Sequence, residues 1–420
     1  MLKRLLMVGT ALTAVGSSVP AGAQDIGEVT VFHRWADEGS RLPIEAMFAV
    51  CEENLPGLEI TSSYVSSDQY EVQLPVQLSS DNVPDVYGLW PGGRAVFQAQ
   101  SGNILDISEE WHDTIGANFA PGMTDSVTET DGNIYVVPFN TIPNGFLYNK
   151  KVFSDAGVEA PPETWEEFEA VLAKLKESGV TPIALGARNG WEPMFWFDYL
   201  ILREHGSDFR ERLMAGDESY TSPEVVSTME RWKGLLEDEN FHLELSGSWA
   251  EMTGAVATGV TAMELMGPWA MRAFLQAGME PNVDFGFFQF PTINPDVALA
   301  TEGAFEGWAA SGKGSNTEGA VRLLECLASK EAQAAYAQGG TNLAANADVP
   351  VDVYTEDLRP ILAQMSELNE YPFHQNMELA TLPPVIEVAD REFPRFLTYP
   401  AEYMAVLEAL QARAETVFGE

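Results

Sequence analysis

The order of apolar segments in the first hundred residues sets the strongest limit on the fold. "EVTVFHRW" (28–35) has the Val and Phe content of a strand, and "SRLPIEAMFAVCEENLPG" follows with Ile44, Phe48, Cys51 and Leu55 at helical spacing. "LEITSSYVS" (58–66) reads as a second strand, Gln69–Ser80 as a helix and "VPDVYGLW" (83–90) as a third strand. "GGRAVFQAQSG" then turns into another helix. Such alternation builds an α/β sheet with parallel pairs, because a parallel neighbour needs a crossover, usually a helix. Ligand crevices in these sheets lie outside the carboxyl ends of the strands. The loops Trp35–Gly39 and Trp90–Arg94 therefore fall on one side of a cleft.

Further on, "GNIYVVPFNTIPNGFLYNKKVFSDAG" (132–157) is extended and punctuated by Pro138 and Pro143, as a segment crossing between two lobes would be. A chain of 420 residues also exceeds what one core usually organises. Thr164 and Glu167 form an S/T-x-x-E capping box ahead of a stripe of Trp165, Phe168, Leu172 and Leu175, and Ser222–Pro223 opens a second such helix. "TAMELM" (261–266) and "VDFGFFQFP" (283–291) read as strands, and Gly267–Pro268 ends the first and starts a helix.

"MLKR", then "LLMVGTALTAV", then "AGA" has the three zones of an export signal, with cleavage expected after Ala23. The excess of 63 Asp+Glu over 23 Lys+Arg, a formal charge of −40, repels nucleic acid and anionic membranes, so neither is expected as a partner. Cys51 and Cys326 can pair in an oxidising compartment, while two separate buried thiols are the plainer reading. No phosphate-binding loop, dinucleotide fingerprint, H-E-x-x-H, C-x-x-C or G-x-S-x-G occurs, and the five histidines lack ligand spacing. Neither a metal nor a cofactor is expected, nor an enzyme.

Ten tryptophans separate by position. Trp165 and Trp232 lie on helical stripes and belong in a core; Trp196 and Trp249 also read as structural. Trp35, Trp90, Trp191, Trp269 and Trp308 sit where an element meets a turn or polar stretch, beside Asp, Glu, Asn or Gly. A shared aromatic cleft is the expectation for these five. Indoles suit the C–H face of a pyranose, and planar polar side chains suit its hydroxyls.

The order of these pieces resembles the extracellular solute-binding proteins of sugar ABC importers, the maltose-binding-protein-like group. The resemblance rests on "PDVYGLWPGGRAVFQAQSG", on "LYNKKVFSDAGVEAPPETWEEF" and on "AMELMGPWA". It implies a two-lobed, type II periplasmic-binding-protein fold with the ligand cleft between lobes. The first lobe would take residues 24–138 and a return at 283–338, and the second 139–282 and the helical C-terminus 339–420. By the same resemblance Trp269, Trp90, Trp191 and Glu192 face the ligand. Trp35, Asp37 and Glu38 occupy the first strand-to-helix loop, and Asn144, Glu306, Trp308, Gln375 and Asn376 complete the candidate set. The implied product is a periplasmic monomer that binds a mono- or oligosaccharide, closes, and docks on the permease subunits in the inner membrane. Arg34, Arg41 and Arg94 are the only cations expected near the cleft, which disfavours phosphorylated ligands. A cationic amine and an exported glycoside-cleaving enzyme are the alternative readings.

Overall fold

The computed structural model describes residues 26–120 and 122–419; the expected leader, residues 1–23, lies outside them. In chain order the strands are β1 (Gly27–His33), β2 (Leu58–Tyr64), β3 (Val86–Leu89), β4 (Val137–Pro143), β5 (Gly145–Asn149) and β6 (Thr181–Gly186). They continue as β7 (Phe241–Glu244), β8 (Thr261–Met266), β9 (Phe285–Phe288), β10 (Thr301–Ala310), β11 (Leu343–Ala344) and β12 (Phe373–Gln375). Two separate sheets result, in the orders β11-β4-β10-β3-β1-β2, with β12 paired to the start of β10, and β7-β6-β8-β5-β9. β1 runs parallel to β2 and β3, and β6 parallel to β7 and β8, as the strand–helix alternation requires. The architecture is the two-lobed α/β fold expected from the sequence.

Local signals explain most of the helices. Thr164 and Glu167 form both halves of their capping box, Asp37 caps helix Glu38–Asn54 by accepting from the Ser40 N–H, and Ser222 caps Pro223–Glu237. Apolar faces then bury Ile44, Met47 and Phe48 in the first lobe and Phe168, Leu172, Met229 and Trp232 in the second.

The lobe boundaries differ from those expected. Strand β9, placed by sequence in the return to the first lobe, instead pairs antiparallel with β5, Phe146 opposite Phe288, in the second sheet. The return begins at β10. β11 and β12, expected in the C-terminal part of the second lobe, hydrogen-bond to β4 and β10 of the first sheet, while the flanking helices carry Ile361, Val385 and Leu407 into the second-lobe core.

The lobes meet where three stretches of chain run together. Between β4 and β5 the chain passes through Asn144, which is fully buried. Its N–H donates to the Glu302 carbonyl (2.9 Å), its Nδ2 to Glu302 Oε2 (2.8 Å), and its carbonyl accepts from the Tyr199 hydroxyl (2.5 Å). Arg203 holds the second passage, between β9 and β10, by donating to the Phe290 carbonyl (3.1 Å) and the Ala300 carbonyl (2.6 Å). The third lies beside β12, where the Asn376 N–H donates to the Gly303 carbonyl at 2.7 Å.

Cys51 and Cys326 form a disulfide, with Cα atoms 5.8 Å apart, in place of the two separate thiols that the plainer reading expected. Helices Glu38–Asn54 and Thr317–Leu327 lie side by side in the first-lobe core, which brings together residues 275 positions apart. Closing so long a loop restricts the unfolded chain, so the double variant Cys51→Ala/Cys326→Ala should lose about 2–5 kcal/mol of stability. Urea unfolding of the two proteins, with and without reductant, measures this; reductant should shift only the parent.

Candidate functional site

A cavity of ≈ 880 Å³ opens between the lobes. Its first-lobe wall follows from the ends of β1 and β3, which deliver Arg34, Trp35 and Trp90 into one corner. The Arg34 guanidinium lies 3.5 Å from the centre of the Trp90 ring and is ion-paired to Glu306 on β10. Glu306 also accepts from Asn140 Nδ2 at 2.5 Å, so the pair is anchored to β4 as well. Arg94 stands on the next helix, 5.4 Å from the same indole, and reaches Glu71 and Glu378 at 2.7 Å each. One face of Trp90 is thus already covered by a cation.

The opposite wall is aromatic. Trp191, Phe195, Trp249 and Trp269 line it, with Trp269 centred 6.3 Å from Trp191 and 6.4 Å from Phe195, both edge-on. Trp269 belongs to a 3-10 turn, Pro268–Ala270, that starts where β8 stops. Its ring folds back across Gly267: a Cβ there would sit 1.8 Å from the indole. Glycine at 267 is required by that close approach. At the rim, Arg272 Nη1 stands 3.4 Å from Asp37 Oδ1 across the cleft, and a Cβ at Gly39 would collide with the same guanidinium.

Of the twelve residues proposed from sequence, Trp35, Asp37, Trp90, Trp191, Trp269, Glu306 and Asn376 line the cavity. The other five do not. Trp308 is fully buried in the first-lobe core, 4.9 Å from Trp35 and 5.3 Å from Phe48. Its neighbour Gly307 reads as a turn, yet it marks a bulge where a Cβ would meet Val136 at 2.3 Å. Asn144 is buried in the hinge, where its N–H, Nδ2 and carbonyl are engaged. Glu38 is exposed behind Asp37, and Glu192 is buried behind Trp191 at the start of helix Glu192–His205. Gln375 lies outside the lining, its carbonyl accepting from Arg210. Arg41, expected near the cleft, pairs with Glu45 on its own helix.

Several lining residues were not anticipated. Trp249, read as structural, is the first residue of a helix opened by the Ser248/Glu251 capping box, and that box directly after a polar turn was the available signal. Arg272, Glu378 and Asp390 had no local signal.

A family model described as bacterial extracellular solute-binding protein matches residues 40–334. This chain belongs to that family. Among its relatives is an uncharacterized ABC transporter extracellular-binding protein of Pyrococcus horikoshii, 26% identical over 378 residues, covering 86% of this chain and 84% of the relative. Another is a probable sugar-binding periplasmic protein of Mesorhizobium japonicum, 25% identical over 375 residues and covering 87% of each chain. Among solved structures, the bacterial solute receptor AcbH superposes with a TM-score of 0.83 at 23% identity, over 93% of this chain and 99% of that one. A chitin oligosaccharide binding protein gives 0.79 at 22%, over 94% and 100%.

The interlobe cavity carries a run of carboxyls that extends into its wall. Burial, and then the neighbouring Glu378, push Asp390 up to about 7; burial alone dominates in Glu192, also raised to about 7. Behind Glu192, Glu264 on β8 is fully buried and pushed up to about 8, with Thr253 donating to it at 2.6 Å. Folded, these acids hold protons that an unfolded chain has already released, so stability falls as pH rises toward 8. His33 and His374, lowered by burial to about 4 and about 3, act oppositely but only below their ordinary 6.5. The melting temperature should therefore decline between about pH 6.5 and 8.5. Glu264→Gln, which keeps the Thr253 contact, should flatten that decline in a melting series across this range; an unchanged slope would contradict it.

Proposed function

We propose that this solute-binding protein is the periplasmic capture component of an ABC importer. It binds a mono- or oligosaccharide in the interlobe cleft, stoichiometrically and without chemistry, and presents the closed form to inner-membrane permease subunits. The export signal ending at Ala23 and a monomeric state complete this reading. Among the described residues no helix is long and apolar enough to cross a membrane.

The observation that carries the reading is the pairing of an indole wall, Trp191, Trp249 and Trp269, with planar polar side chains opposite, Arg34, Glu306 and Asn376. Sugar rings present an apolar face and a hydroxyl rim, and a cleft built this way answers both. The relatives support it: one is described as sugar-binding, and AcbH is described as preferring β-D-galactopyranose. A second support is the Asp37–Arg272 contact, which a closing motion between lobes would form and an opening would break.

A thermal-shift panel of mono-, di- and oligosaccharides should identify a ligand by a large rise in melting temperature. Trp269→Ala should then weaken that ligand by about 2 kcal/mol or more, roughly thirtyfold, with little loss of fold stability. Gly267→Ala should weaken it too, because the added methyl displaces the ring. Calorimetry reads both, and full affinity in either variant would remove Trp269 from the site. On saturation the radius of gyration from small-angle scattering should not increase, and Arg272→Ala should raise that of the unliganded protein. An unliganded radius unaffected by that substitution would sink the proposed role of the rim contact.

A further inference from the structure

The formal charge left unpaired in the lining of this cleft is anionic. Each lining guanidinium is already engaged: Arg34 with Glu306, Arg94 with Glu71 and Glu378, and Arg272 with Asp37. Asp390 also lines the cavity, and among the described residues it has neither an ion-pair nor a side-chain hydrogen-bond partner. Two buried amide oxygens in the lining, Asn342 Oδ1 and Asn376 Oδ1, likewise lack partners. Immediately behind the wall, both carboxyl oxygens of Glu192 are buried without one. Five carboxyl side chains line the cavity against three guanidiniums.

Position adds to composition. Gly190 packs directly on residue 390, a Cβ there lying 2.7 Å from the Asp390 carbonyl oxygen, so the turn that carries Trp191 sits against the Asp390 backbone. Asp390 and Trp191 both line the cavity, and the Gly190 contact sets their stretches of chain side by side. A carboxylate beside an aromatic face is a good seat for an organic cation and a poor one for an anion. Burial first, and neighbouring carboxyls after it, raise the proton affinity of Asp390, Glu192 and Glu378.

Resting on the saccharide reading above, we infer that the ligand is an aminated saccharide whose protonated amino group is seated between the Asp390 carboxylate and the Trp191 ring. The rest of the sugar lies along the Trp249 and Trp269 side of the cleft, beside the Asn342 and Asn376 amides. Uronic acids are excluded, since their carboxylate would meet Asp390 with no free guanidinium to receive it.

Calorimetry with matched sets tests this: glucose, glucosamine and glucuronate; galactose, galactosamine and galacturonate; and chitin-derived against fully deacetylated oligosaccharides of equal length. The amine of the best-binding set should bind at least about tenfold tighter than its neutral counterpart, and the uronate weakest. Asp390→Asn should reduce the amine's advantage over its neutral counterpart to within about threefold. A neutral sugar that binds as tightly as its amine overturns the inference and leaves the saccharide reading standing. Binding by no saccharide overturns both. Should the Asp390 variant fail to fold, the parent protein's ranking of the matched sets decides alone.

Discussion

The molecule depends on a buried polar knot where chain passes between the lobes. Asn144, Glu302 and Tyr199 exchange hydrogen bonds there, and Arg210 lies alongside, clamped to Asp198 at 2.8 and 2.7 Å while donating to the Gln375 carbonyl. Burial, and then the Asp198 charge, push Glu302 well above the usual carboxylate range. Hydrogen bonds among groups this deeply buried favour one arrangement of the three passing stretches of chain, while Asn144 Oδ1 and Glu302 Oε1 keep no partner. Apolar packing could hold the passages together but would not fix their register. Register is what matters, because it points β1 and β3 at the cleft from one side and β8 from the other.

What the sequence conveyed was local. Strand–helix alternation, the capping boxes and the glycine–proline break before Trp269 are each written within a few residues, and each reappears in the structure. Trp308 shows the limit of such reading. Gly307 before it resembles a turn residue, but in a strand buried along its whole length it lets neighbouring backbone come close. The same ambiguity hid the cleft position of Trp249. β9, too, is an apolar strand that either sheet could have taken; its choice was made by the phenylalanines of β5, far away in sequence.

Charge was the least legible property. A chain with 63 acids and 23 basic residues offers no way of telling a solvated carboxylate from one in a site. The fold performs that sorting. It places three of the scarce arginines in the cleft and pairs each with an acid, at Arg34, Arg94 and Arg272. Interactions inside a partly dry cleft are screened less than those on the surface, so these few charges outweigh the many outside. Asp390 and Glu378 come from the C-terminal third, and only the third passage of the chain brings them beside residues 71 and 94.

The disulfide gives the chain an unusual topology as a covalent object. Everything between Cys51 and Cys326, including β5 through β9 and their helices, is a closed ring hung from the first lobe. A single protease cut anywhere inside that ring linearises it without separating the pieces, and the fragments part only when the bond is reduced. The part of the second lobe inside the ring can therefore be nicked or locally unfolded while staying tethered at both ends to the first lobe. For two lobes that face each other across a cleft, reassembly remains an event within one molecule.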